Sequence, residues 1–122
     1  MKILICDDQP EPLRELCKRL RESGHFVVIT DDPSCAVETA KETAFDLVVA
    51  DLMMPHTDGV QLLETVLEIA PHEPPALALL VDWPATSDPS FEALGAQVLE
   101  KPVRLDRALQ FVNEIALSRR AN

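Results

Sequence analysis

Three glycines in 122 residues leave no room for the glycine-rich loops that cradle nucleotide phosphates. The P-loop and the dinucleotide fingerprint both need several glycines at fixed offsets, so both are excluded. Positive charge is also scarce: 11 Lys plus Arg stand against 21 Asp plus Glu, a formal charge of -10. So acidic a chain neutralises neither nucleic acid nor an anionic membrane surface, and a divalent cation is the better expected partner. No apolar run approaches the roughly 18 residues that a membrane span needs, and residues 1–6 are too short for a secretory signal. Cys6, Cys17 and Cys35 are odd in number and lack a C-x-x-C spacing. They suit a reducing cytoplasm, and form neither a zinc site nor a disulfide framework. Cys6 and Cys17 read as small buried hydrophobes.

What is present is a globular composition, 47% apolar, at a length that fits one domain over residues 1–122. Short apolar runs alternate with segments of helical period. Lys2–Cys6 is a strand, followed by a loop over Gln9–Pro12 and a helix with Leu13, Leu16, Cys17 and Leu20 inward, ending at Ser23-Gly24. Phe26–Thr30 is a second strand, with Asp32 as N-cap and Pro33 at the first position of a helix that runs to about Thr43, Ala36, Val37 and Ala40 facing inward. The run through Leu47–Ala50 is a third strand, closed by Asp51 and then by a turn over Pro55–Gly59. Val60, Leu63, Val66, Leu67 and Ala70 mark a third helix, with Pro71 its stop and residues 72–75 a loop. Ala76–Val81 is a fourth strand, and the segment from Trp83 to Pro89 breaks the chain, so the fourth helix is short, Ser90 to Leu94. Gln97–Glu100 is a fifth strand, and Leu105, Leu109, Val112 and Ala116 stripe a fifth helix, its end carrying Arg119-Arg120. Five strands alternating with five helices predict an α/β fold, a doubly wound parallel sheet with right-handed crossovers.

In such a sheet, ligands collect beyond the C-terminal strand ends. Asp7 and Asp8 follow the first strand, Asp51 ends the third, and Lys101 ends the fifth. Asp51 by itself could equally cap the turn after its strand. Together, three converging carboxylates would repel by about 4 kcal/mol per contact at about 4 Å and an effective dielectric near 20. A hard cation with oxygen ligands, Mg²⁺, answers that charge, and Lys101 adds a movable ammonium. A carboxylate so placed has a chemical use, as a nucleophile that takes a phosphoryl group to give an aspartyl phosphate. Asp51, single and central, is the expected nucleophile, and Asp7 and Asp8 the expected metal ligands.

These residues resemble the receiver domain of two-component response regulators: Asp7-Asp8, then Asp51-Leu52-Met53-Met54-Pro55 through Asp58-Gly59, then Lys101-Pro102. The resemblance covers the whole chain. It implies a flavodoxin-like strand order 2-1-3-4-5, a phosphoacceptor at Asp51, Mg²⁺ on Asp8 with Asp7 assisting and on the backbone carbonyl of Met53, and phosphate contact from Lys101. It further implies a cis Lys101-Pro102 peptide. The donor would be the phosphohistidine of a sensor histidine kinase or phosphotransfer protein docking near the first helix, and the output a downstream protein target in the cytoplasm. On this reading the chain is a phosphoacceptor that assists its own phosphorylation and dephosphorylation, not a turnover enzyme.

Three positions depart from the pattern. Where receivers carry a Ser or Thr at the end of the fourth strand this chain has Leu80, the next position is Val81, and the aromatic switch position in the fifth strand is Val98. Thr86 or Ser87 would have to supply the missing hydroxyl. The rival reading is a phosphorylation-independent receiver acting as an interaction module. A small Mg²⁺-dependent phosphohydrolase would need an acid/base and a substrate cap for which the chain has little room. Trp83 is either a partner anchor or a cover over the core, and Asp82 either repels a phosphoryl group or orients water beside it. His25, His56 and His72 read as loop or strand-edge residues, and Met53-Met54 as packed loop residues.

Overall fold

The computed structural model describes residues 1–70, 73–82 and 88–120. Strands β1 (Lys2–Cys6), β2 (Phe26–Thr30), β3 (Leu47–Asp51), β6 (Ala76–Asp82) and β7 (Gln97–Lys101) form one parallel sheet in the order β2-β1-β3-β6-β7. Between β3 and the third helix the chain makes a two-stranded antiparallel ribbon, β4 (Met53–Met54) with β5 (Thr57–Asp58). With that ribbon set aside, the order is the expected 2-1-3-4-5. The ribbon turns at Pro55-His56, where His56 has a φ of 69°. Proline followed by a residue at positive φ is the signature of a type II turn. Helices α1 (Arg14–Glu22, entered through a 3-10 turn over Glu11–Leu13), α2 (Pro33–Glu42), α3 (Gly59–Ile69), α4 (Pro89–Leu94) and α5 (Leu105–Arg120) cover the sheet. Among the described residues no helix is long and apolar enough to cross a membrane.

The two-residue period of the strands divides the core in two. Leu4, Cys6, Val48, Ala50, Leu77, Leu79 and Val81 pack on one side beneath α2, α3 and Phe91 of α4. Ile3, Ile5, Leu47, Val49, Ala78 and Leu80 pack on the other beneath α1 and α5. All five residues of β3 are buried, as expected of a strand covered on both faces.

Three helices begin on an aspartate whose carboxylate accepts a backbone N–H of the first turn. Asp32 takes that of Ser34, Asp58 that of Gln61, and Asp88 that of Ser90, each at 2.8 Å. The Asp32-Pro33 start of α2 is as expected, and α4 is short as expected. The inward stripes differ in detail. In α3 Leu62 is buried with Leu63 and Val66, while Val60 and Leu67 are only partly buried and Ala70 is the C-cap. In α5 the buried residues are Ala108 and Val112, flanked by Leu109, Phe111 and Ile115, and Leu105 and Ala116 stand aside. Ala108, 1% exposed, faces the core where the larger side chains alone suggest Leu105. Pro71, His72, Trp83, Thr86 and Ser87 lie outside the described residues.

Candidate functional site

The alternation that builds the α1/α5 side of the core also aims the polar residues that follow it. Asp7 comes two residues after Ile5, Asp51 two after Val49, Lys101 two after Leu99 and Asp82 two after Leu80. All four therefore continue one face past the C-terminal end of the sheet, where they line an open cavity of about 440 Å³. The N–H of Asp7 still reaches the Thr30 carbonyl at 3.1 Å, which extends β1 pairing by one residue and holds that aspartate down. Asp7 is 1% exposed and Asp51 5%. Carboxylate oxygens of Asp7, Asp8 and Asp51 lie within 4.8 Å of one another, so the predicted triad is assembled.

Lys101 bridges two of the three. Its Nζ is 3.0 Å from Oδ2 of Asp51 and 3.3 Å from Oδ2 of Asp7. The other oxygen of Asp7 accepts the N–H of Gln9 at 2.9 Å, which curls the loop before α1 around the cavity. Burial pushes the Asp51 carboxyl up to about 6; Lys101 pulls the other way, and the charge of Asp7 and the contact with Asp8 add to the rise. Burial would lower the Lys101 ammonium, but its hydrogen bond to Asp51 and the charges of Asp7 and Asp51 outweigh that and hold it above its ordinary value. One ammonium among three carboxylates leaves the cavity with a surplus of negative charge. The Lys101-Pro102 peptide is cis, as expected.

Leu80 pairs with Asp51 across the sheet register, and its side chain is buried in the apolar cluster under α1 and α5. It gives the cavity nothing polar. Among the described lining residues the only side-chain hydrogen-bond donors are Lys101 and Gln9, and none carries a hydroxyl. Met53 is 71% exposed at the cavity rim, not packed, because it opens the short ribbon; Met54 is the buried one, its Sδ 3.7 Å from the Cys6 Sγ. Burial, helped by Asp7, pushes the Cys6 thiol up to about 12, in keeping with its role as a buried hydrophobe. His56 is an exposed turn residue. His25 is half-buried at the far end of the sheet, accepting at Nδ1 from the N-terminal amine at 2.8 Å.

Sequence reasoning took Gly59 only for a turn residue. A Cβ there would stand 2.6 Å from the Asp51 carbonyl oxygen and 2.8 Å from Leu79. Its N–H donates to the Leu52 carbonyl at 2.9 Å, so α3 begins directly against the backbone of the nucleophile candidate. The Asp58-Gly59 pair was the available signal: an N-cap followed by the residue that permits closest approach.

Comparison with known proteins bears on the family and the fold. The family described as response regulator receiver domain matches residues 3–113. The response regulator receiver protein CpdR of Brucella abortus (strain 2308) is 33% identical over 121 residues, covering 93% of this chain and 92% of that protein. The signal transduction histidine-protein kinase BarA of Escherichia coli (strain K12) is 30% identical over 110 residues, 88% of this chain but 12% of the kinase. The co-crystal structure of the Saccharomyces cerevisiae histidine phosphotransfer signaling protein Ypd1 with the receiver domain of its downstream response regulator Ssk1 matches with a TM-score of 0.85. Identity there is 18%, over 98% of this chain and 90% of the matched one, a likeness of fold. With the family match running from the first strand into the last helix, the chain belongs to the response regulator receiver domain family of two-component systems.

Proposed function

We propose that this receiver takes a phosphoryl group onto Asp51 from the phosphohistidine of a sensor histidine kinase or phosphotransfer protein, with Mg²⁺, and signals in a phosphorelay through altered binding to a downstream protein. The observation that carries the reading is the Asp51 carboxylate itself. It is buried at a strand end, 3.0 Å from a single ammonium, with two further carboxylates beside it.

The donor set fits the cation. Three carboxylates less one ammonium leave two negative charges, and all the candidate ligands are oxygens, which suits Mg²⁺. Asp7, Asp8, Asp51 and the Met53 carbonyl would hold it, and when bound it would offset charge on the transferring oxygens. An Asp51 carboxylate oxygen attacks phosphorus, the bond from phosphorus to the donor's histidine nitrogen breaks, and the imidazole keeps the electron pair and takes up a proton. Lys101 leaves its bridge between Asp51 and Asp7 to pair with a phosphoryl oxygen, offsetting charge in a site partly shut from water. With Leu80 in place of a hydroxyl, phosphorylation has no strand-four side chain to draw toward the phosphoryl group, so the response of β6 is weakened.

Intact mass after incubation with acetyl phosphate and Mg²⁺ tests this. One added phosphoryl group is expected, absent from Asp51→Asn and lost on Mg²⁺ chelation. No adduct with Mg²⁺ in excess, and no effect of beryllofluoride as a stable mimic, would instead identify a phosphorylation-independent interaction module.

A further inference from the structure

Between Glu22 and Glu100 the chain carries one lysine, Lys41, and no arginine. Seven of the other cations lie in α1 and α5, on the far side of the sheet, which leaves the side under α2 and α3 strongly acidic. There the two helices leave a groove of about 470 Å³ between them. Half-buried Pro33 and Val37 give it apolar surface from α2, and exposed Glu64 and Glu68 line it from α3. The two glutamates stand four residues apart, a spacing at which like charges on a helix repel. Glu68 also lies in the last turn of α3, at the negative end of the helix dipole, where no basic residue offsets it. Lys41 is held by Glu38 at 3.1 Å, and neither Glu64 nor Glu68 joins an ion pair among the described residues.

We infer that the groove between α2 and α3 docks a helix of another protein that carries lysine or arginine along one side. Two helices side by side form the kind of channel in which an amphipathic helix lies, with its apolar side chains between the ridges and its charges at the rim. Charge complementarity selects the occupant. Pro33 and Val37 take its apolar side chains, and Glu64 and Glu68, short of cations within the chain, take its ammonium or guanidinium groups. A second copy fits less well: its own charge of -10 repels, and its basic α1/α5 face seated here makes a head-to-tail contact that leaves the same two faces open unless a ring closes. The groove shares no lining residue with the carboxylate cavity, so the inference stands apart from phosphorylation of Asp51.

The test is a titration of the ¹⁵N-labelled full chain, read by amide chemical shifts at about 0.15 M salt. The probe is a synthetic helix of about 18 residues, five turns, with leucine and alanine on one side and lysine on the other. Saturable shifts are expected at groove residues such as Ser34, Val37, Gln61 and Thr65, and none with the same peptide carrying glutamate for lysine. The Glu64→Gln/Glu68→Gln protein is expected to bind at least about fivefold more weakly, the loss of two exposed ion pairs. Asp106→Asn/Glu114→Gln, which removes the same charge from α5, is expected to stay within about twofold of the parent. All four positions are exposed, and the same spectra report whether each variant keeps the fold. No saturable shift, shifts confined to the carboxylate cavity, or equal weakening in the two double variants overturns the inference. Sedimentation of the parent alone as an assembly that Glu64→Gln/Glu68→Gln dissolves would also overturn it, and give the groove to a second copy.

Discussion

Strand β3 is bracketed by two aspartates in opposite electrical situations. Asp46, just before it, is held by donors: the Lys2 N–H reaches its Oδ2 at 2.7 Å and the Arg119 Nε its Oδ1 at 3.3 Å. Its backbone also accepts from Ala76 and donates to Lys2, so it ties β1, β6 and α5 together at the N-terminal edge of the sheet. Asp51, five residues on, is more deeply buried and shares one ammonium with Asp7, with Asp8 a third carboxylate beside them. The difference separates a carboxylate satisfied within the chain from one left short of positive charge.

The comparison breaks most sharply on substitution by asparagine. In metal-free protein at pH 8, Asp51→Asn should stabilise the fold by about 3 kcal/mol, since a carboxyl raised from 3.8 to about 6 costs free energy to ionise in the native state. The sign follows from the proton balance. Between pH about 6 and about 4 the folded chain binds a proton that the unfolded chain does not, so the penalty is full above pH 6 and is removed as pH falls toward 4. Urea midpoints of parent and variant in the presence of a chelator should therefore converge on acidification; a gap that stays constant with pH would sink this account of Asp51. Asp46→Asn should act with the opposite sign and less strongly, costing about 1 kcal/mol through the weakened hold on Lys2 and Arg119, both of which partly face water. The same urea series reads it, and a stabilised Asp46→Asn would erase the contrast between the two ends.

Much of this arrangement was legible in the residues. The apolar runs that end in Asp7-Asp8, Asp51 and Lys101 gave the strands and their polar ends at once, because burial on both faces and a two-residue period leave few alternatives. Asp32-Pro33 announced a helix start by its capping chemistry. What was not legible depends on tertiary contact. The bond from Arg119 to Asp46 spans 73 residues of sequence, and nothing local in Arg119-Arg120 distinguishes it from a simple match to the helix dipole. The space denied to a Cβ at Gly59 exists only once α3 meets the Asp51 backbone. The exposure of Met53 follows from a ribbon of two-residue strands, too short to leave a period in the sequence.

The central claim is that the surplus charge at the end of β3 belongs to a cation and phosphoryl site. Calorimetric titration of Mg²⁺ into the parent, Asp51→Asn and Asp46→Asn tests it most directly. The account predicts one Mg²⁺ per chain in the parent, unchanged in Asp46→Asn and at least about tenfold weaker in Asp51→Asn, as expected for loss of one charged ligand from a few-carboxylate site. A parent that binds no Mg²⁺, or three proteins that bind it alike, would contradict it.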